Sequence, residues 1–133
     1  MIQVELFKII IDEKRADQII VLKERDGDRQ FPIMIGLIEA SSIKMKLADI
    51  HLPRPLTHDL FLSVFQGLGA ALESVLIDDL VEDTFHAKLV LVTQDGQKQY
   101  IDARPSDGIA IAVRAKAPIF VENGVLEKAA VMK

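Results

Sequence analysis

Apolar and polar residues alternate at the start of the chain. Ile2, Val4 and Leu6 lead into the run Ile9-Ile10-Ile11, which predicts a β-branched strand over residues 2–11. The charged cluster Asp12-Glu13-Lys14-Arg15 reads as a solvated turn, and Gln18 to Lys23 as a second strand. Asp26-Gly27 is a strong hairpin signal, because a tight primed turn needs positive φ. Gln30 to Ile35 then closes that hairpin. Pro32 cannot donate to a ladder, which puts its strand at a sheet edge or on a bulge.

The period changes at Gly36. Gly36, Ala40, Ile43, Leu47 and Ile50 share helical spacing and predict one apolar stripe, with Glu39, Ser42, Lys46 and Asp49 on the opposite, polar face. Prolines 53 and 55 enforce extended backbone. Thr57 is placed to cap a second helix that turns Phe61, Val64, Phe65 and Leu68 inward, with Gly67 and Gly69 ending it. Strands follow at Glu73 to Leu80, Phe85 to Thr93 and Lys98 to Asp102, the last two joined at Asp95-Gly96. Ile109-Ala110-Ile111-Ala112-Val113 is apolar on every face, so the helix from Ser106 to about Lys116 should be buried. Pro118 to Val121 reads as a short strand, Asn123-Gly124 as a turn, and Val125 to Met132 as a short helix or tail. The pattern predicts one α+β domain over residues 1–133. Its sheet is mostly antiparallel or mixed and built from hairpins, with three main inserted helices and a short C-terminal one.

Composition narrows the function. A chain of 133 residues suits one domain with its own core. It has no cysteine, so no disulfide or thiolate metal site can form. No apolar run approaches the roughly 18 residues of a membrane span, which makes cytoplasm the default location. The net charge of −4 argues against a long basic face gripping many phosphates, and leaves room for a compact site using a few arginines or a metal. With half the residues hydrophobic, there is enough aliphatic surface for a tight core and a subunit interface.

The candidate chemistry gathers in two turns of similar grammar, Pro53-Arg54-Pro55-Leu56-Thr57-His58-Asp59 and Asp102-Ala103-Arg104-Pro105-Ser106-Asp107-Gly108. Each runs Arg-Pro, then a hydroxyl residue, then an aspartate at a helix start. Such a start offers free N–H groups and a positive dipole end to an anion, and arginine adds a planar fork that matches phosphate. Arg54, Thr57, Arg104 and Ser106 are therefore the candidate phosphate-binding residues. Asp59, Asp102 and Asp107 would repel a bare phosphate unless a divalent ion lay between; with His58 they are the candidate catalytic residues, and Asp102 and Asp107, joined by Glu39 or Asp59, are the candidate ligands for magnesium or manganese. His58 is the candidate general acid or base. The same residues have a plainer account. Acidic residues in a first helical turn stabilise the dipole, Glu39 suits an exposed carboxylate, and Arg104 could pair with Asp102. His51 has no partner visible in the sequence, and His86, inside a strand, reads as a packing residue. No P-loop, dinucleotide fingerprint, nucleophile elbow or zinc-protease motif is present.

Three segments carry a family resemblance: Ile35-Gly36-Leu37-Ile38-Glu39-Ala40, Pro53 to Leu60, and Asp102 to Ala110. They are similar to the signature blocks of the bifunctional nuclease family, and Phe85-His86-Ala87 and Ala117 to Val121 follow in the expected order. The resemblance implies a small α+β domain, commonly a homodimer, acting on DNA and RNA. Gly108 stands where other members often carry alanine, which should loosen the helix start. Two further readings stay open beside a metal-assisted nuclease. One is a non-enzymatic dimeric module binding an anion, a nucleotide or a protein. The other is a hydrolase of a small phosphorylated metabolite.

Overall fold

The computed structural model describes residues 1–130. In chain order the elements are β1 (Ile2–Ile10), β2 (Asp17–Glu24), β3 (Gln30–Gly36), α1 (Leu37–Leu47), α2 (Thr57–Gly67), β4 (Ala71–Val81), β5 (Thr84–Val92), β6 (Lys98–Ala103), α3 (Pro105–Ala115), β7 (Ile119–Val121) and α4 (Asn123–Ala129). The fold is α+β. Its single seven-stranded sheet runs β3-β2-β1-β7-β4-β5-β6, and every neighbouring pair is antiparallel except β4 with β7. The three-residue β7 therefore lies at the centre and joins two antiparallel meanders. Pro118 O accepts from Val75 N–H at 3.1 Å, and Glu122 N–H donates to Ile77 O at 3.0 Å, which extends the join at both ends.

Alternation decides which strand face is buried. Ile20 and Leu22, Phe31, Ile33 and Ile35, and Ala87, Leu89 and Leu91 turn into the core at every second position. The sheet curls, because Phe31 of β3 and Phe85 of β5 stand almost at opposite ends of the strand order yet their rings lie 5.6 Å apart. α3 fills the concavity with Ile109, Ala110, Ile111 and Ala112, all buried, as the apolar run predicts. Each large aliphatic side chain buried in this way contributes on the order of 1.5–3 kcal/mol. α1 and α2 pack on α3 and complete the helical layer.

β3 is an edge strand, with Pro32 exposed on it, as the missing donor implies. Several local expectations are corrected. Gly27 does not have positive φ. The β2–β3 loop is longer than a two-residue turn and closes through Glu24 N–H to Arg29 O and an Arg29–Glu24 ion pair at 2.8 Å. The primed geometry instead falls at Glu82-Asp83, both left-handed (φ 51° and 64°), where no glycine announced it. Asp95-Gly96 turns as expected, with Gly96 at φ 82°. α1 ends at Leu47, and Leu47 and Ile50 are exposed, while Ser42 on the supposed polar face is buried. On α2 only Phe65 of the four expected residues is buried, and Phe61, Val64 and Leu68 face outward. Leu56, not Thr57, is the residue preceding α2. Asn123-Gly124 opens α4 rather than making a turn. The expected C-terminal helix or tail reaches to Met132, beyond the described residues.

Candidate functional site

Six side chains from the three helices of the layer form one chain of hydrogen bonds. α1 supplies Ser42, α2 supplies His58 and Asp59, and α3 supplies Asp107 and Arg114, with Arg104 just before its first residue. Arg104 Nε and a terminal nitrogen each hold Asp107 Oδ2 at 2.9 Å. The other oxygen of Asp107 meets His58 Nε2 at 2.9 Å, and His58 Nδ1 meets Ser42 Oγ at 2.8 Å. Arg114 donates to Ser42 Oγ at 3.0 Å and Ser42 O at 3.1 Å, to Ala110 O at 2.8 Å, and to Asp59 Oδ1 at 2.7 Å. Asp59 Oδ2 finishes the chain by accepting Leu56 N–H at 2.9 Å.

Sequence position explains why these groups meet. His58 and Asp59 lie in the first turn of α2, Asp107 in the first turn of α3, and Arg114 lies two turns further along the same face of α3. The buried Arg114 is satisfied because carboxylate, hydroxyl and carbonyl acceptors take up its fork. Arg114 donates to a lone pair of Ser42 Oγ; with its proton on Nε2, His58 donates to Asp107 and accepts the Ser42 hydroxyl proton at Nδ1. Partial burial pushes the Asp59 carboxyl upward in pKa, but the Leu56 N–H, Arg114 and Lys46 outweigh it and hold Asp59 below the usual carboxylate value.

Three clefts border this relay. Arg54 lines one of about 310 Å³ with Lys46, His51, Asp59 and Arg114. Thr57 lines a second, mostly apolar, of about 330 Å³, with Leu37, Ile38 and Met45 and with one edge of Ser42 and His58. Arg104 and Ser106 line a third of about 270 Å³ that also holds Asp17 and Asp83. The two Arg-Pro turns thus converge, but through internal bonds between His58 and Asp107 and between Asp59 and Arg114. Their leading arginines open onto different clefts.

The carboxylates proposed as metal ligands are not gathered. Asp102 is exposed on β6 and pairs with Lys88 at 3.4 Å, and Lys88 also meets Asp78 at 3.3 Å. Partial burial of Lys88 lowers its pKa, but these two acids raise it overall. Both oxygens of Asp107 are engaged by Arg104 and His58. Glu39 folds back over Gly36, where an added Cβ would collide with Glu39 Oε1. Among the described residues no three His, Asp or Glu side chains are arranged to hold a metal ion, so Asp102, Asp107 and Glu39 do not fit a shared one. His51 pairs with Asp49 at 3.0 Å, and His86 is exposed rather than packed. Ser42 and Arg114 are the two members of the relay that sequence reading passed over. Arg114 left a signal as the one charge between Gly108 and Ala115, whereas Ser42 left none beyond its helical spacing from Ile38.

A match to the bifunctional nuclease domain covers residues 20–133. The chain belongs to the bifunctional nuclease family. It is 39% identical over 130 residues to an uncharacterized protein of Mycobacterium tuberculosis, an alignment covering 98% of this chain and 77% of that protein. It is 32% identical over 109 residues to Bifunctional nuclease 1 of Oryza sativa subsp. indica, covering 80% of this chain and 33% of the rice protein. Bifunctional nuclease 1 of Arabidopsis thaliana is 29% identical over 107 residues, again with 33% of the plant protein covered. The chain therefore spans about a third of these plant bifunctional nucleases. No helix among the described residues is long and apolar enough to cross a membrane.

Proposed function

We propose that this bifunctional nuclease domain hydrolyses phosphodiester bonds in both DNA and RNA with weak sequence selectivity, working in the cytoplasm as a homodimer. The observation that carries the reading is the Arg54 cleft. In a protein of net charge −4, Lys46, Arg54, His51 and Arg114 surround one carboxylate, Asp59, whose charge Arg114 already offsets. A phosphate meets favourable potential there, and the Arg54 fork suits its oxygens. Met45 and Leu56 border both this cleft and the apolar one beside it, which suits a sugar or base face. The Arg104 and Ser106 cleft carries Asp17 and Asp83 and is assigned no phosphate.

Proton transfer follows from the relay. As water attacks phosphorus from the side of the apolar cleft, which Ser42 and His58 line, its proton passes to Ser42 Oγ while the Ser42 proton passes to His58 Nδ1. Asp107 stabilises the imidazolium, Arg104 orients Asp107, and the proton on Nδ1 returns through Ser42 Oγ to the leaving alkoxide. Asp59 acts by positioning Arg114. Magnesium or manganese dependence is read by assay and has no place among Asp102, Asp107 and Glu39. One observation favours a second reading, an anion-binding or protein-interaction module without catalysis: both imidazole nitrogens and both Asp107 oxygens are already bonded inside the protein.

Cleavage of DNA and RNA by the wild-type chain is compared with Arg54→Ala and His58→Asn, each with magnesium, with manganese and with chelator. Wild type should cleave both polymers, with His58→Asn slowed about 100-fold or more, the size expected for a lost acid–base group. Equal cleavage by all three proteins identifies a contaminant and removes the proposal. Salt-sensitive binding that Arg54→Ala weakens, without cleavage by any of them, establishes the second reading.

A further inference from the structure

The two ends of the sheet are finished differently. β3 is guarded by Pro32, whereas β6 carries no proline and no bulge, and its residues Lys98 to Asp102 are all exposed. An open strand edge of this kind recruits another strand unless something blocks it. We infer that β6 pairs antiparallel with β6 of a second copy, with Tyr100 on the two-fold axis, which assigns a surface to the homodimer proposed above and rests on that part of the reading.

The backbone limits the register. Thr93 N–H donates to Gln97 O, so bonded pairs between β5 and β6 recur at Leu91 with Gln99 and at Leu89 with Ile101. Lys98, Tyr100 and Asp102 fall between, opposite Val92, Val90 and Lys88, and turn their N–H and C=O groups away from β5 toward the open edge. A second β6 bonded to those groups can place 98, 100 and 102 only opposite positions whose groups point the same way, from 96 to 104 at every second residue. Centred on Tyr100, Lys98 of one copy faces Asp102 of the other, and this occurs twice. Centred one residue later, Lys98 would face Arg104, a repulsion. Centred one residue earlier, Asp102 would pass beyond the strand to Gly96. Charge selects the Tyr100 register, and facing side chains of a bonded pair share one side of the sheet. The present partners of Lys98 and Asp102, Glu73 at 3.1 Å and Lys88 at 3.4 Å, are exposed surface pairs that exchange at little cost. The outward apolar face of α1 and α2 is the competing surface, and nothing in the structure shows what covers it.

Sedimentation equilibrium of the full chain tests this. Lys98→Asp and Asp102→Lys should each raise the dimer dissociation constant about ten-fold or more, and the double exchange Lys98→Asp/Asp102→Lys should restore it, because attraction across the seam returns. The chain has no cysteine, so Tyr100→Cys introduces a single thiol. A short bifunctional maleimide should then link two copies, since facing Cα atoms of a bonded pair lie about 5.5 Å apart. A dimer that ignores the charge changes and resists linking at position 100, but dissociates on Phe61→Glu, overturns the β6 seam and leaves the homodimer in place. A chain that is monomeric throughout overturns both, and the cleavage assay reports separately on the nuclease.

Discussion

Arg114 reaches from the last turn of α3 to both other helices of the layer, and its guanidinium is satisfied only while Asp59 stays ionised and Ser42 stays in place. Acid should therefore loosen the helical layer from this point. The Asp59 carboxyl lies below its usual 3.8, so its contribution is complete above that value and is lost as pH falls through the lower, folded-state one. The difference in melting temperature between wild type and Asp59→Asn should be constant above about pH 5 and shrink below about pH 4, where the wild-type carboxyl also becomes neutral. Thermal scans from pH 7 to pH 2.5 measure it. A gap that stays the same down to pH 2.5 would show that the charge of Asp59 contributes nothing to holding α2 against α3.

α3 carries a tighter constraint at Gly108. A Cβ added there would lie 2.9 Å from Cγ1 of Val75, a fully buried, β-branched residue of β4 with little freedom to turn aside. Alanine would gain about 1 kcal/mol of helix propensity but force the overlap, which costs about 1–3 kcal/mol. Gly108→Ala should thus lower stability by about 1 kcal/mol in urea titration, and Val75→Ala should cost less in that background than alone because the two changes share one space. Gly108 consequently marks close packing of helix on sheet, not merely a loosened helix start. Periodicity revealed most elements, because alternation and helical spacing record which face is buried. It misassigned Leu47, Ile50, Phe61, Val64 and Leu68, since an outward apolar stripe and an inward one look alike in one dimension. The convergence of His58 with Asp107, and of Asp59 with Arg114, joins residues 49 and 55 positions apart, and no local pattern encodes that. Shared grammar suggested that the two turns belonged together. It could not show that their charges would neutralise one another before meeting a ligand.

At the scale of the molecule, the sheet is two antiparallel meanders, β3-β2-β1 and β4-β5-β6, held together by the three residues Ile119 to Val121. Each meander alone exposes an inner edge, β1 or β4, and a half-built core. A chain ending before Pro118 should show no cooperative thermal transition and should aggregate, as circular dichroism and light scattering would report. Retention of a sharp transition would mean that the halves associate without their clasp. During synthesis β7 emerges from the ribosome after all six of its sister strands, so the edges of β1 and β4 must wait, sticky and unpaired, for three late residues to arrive.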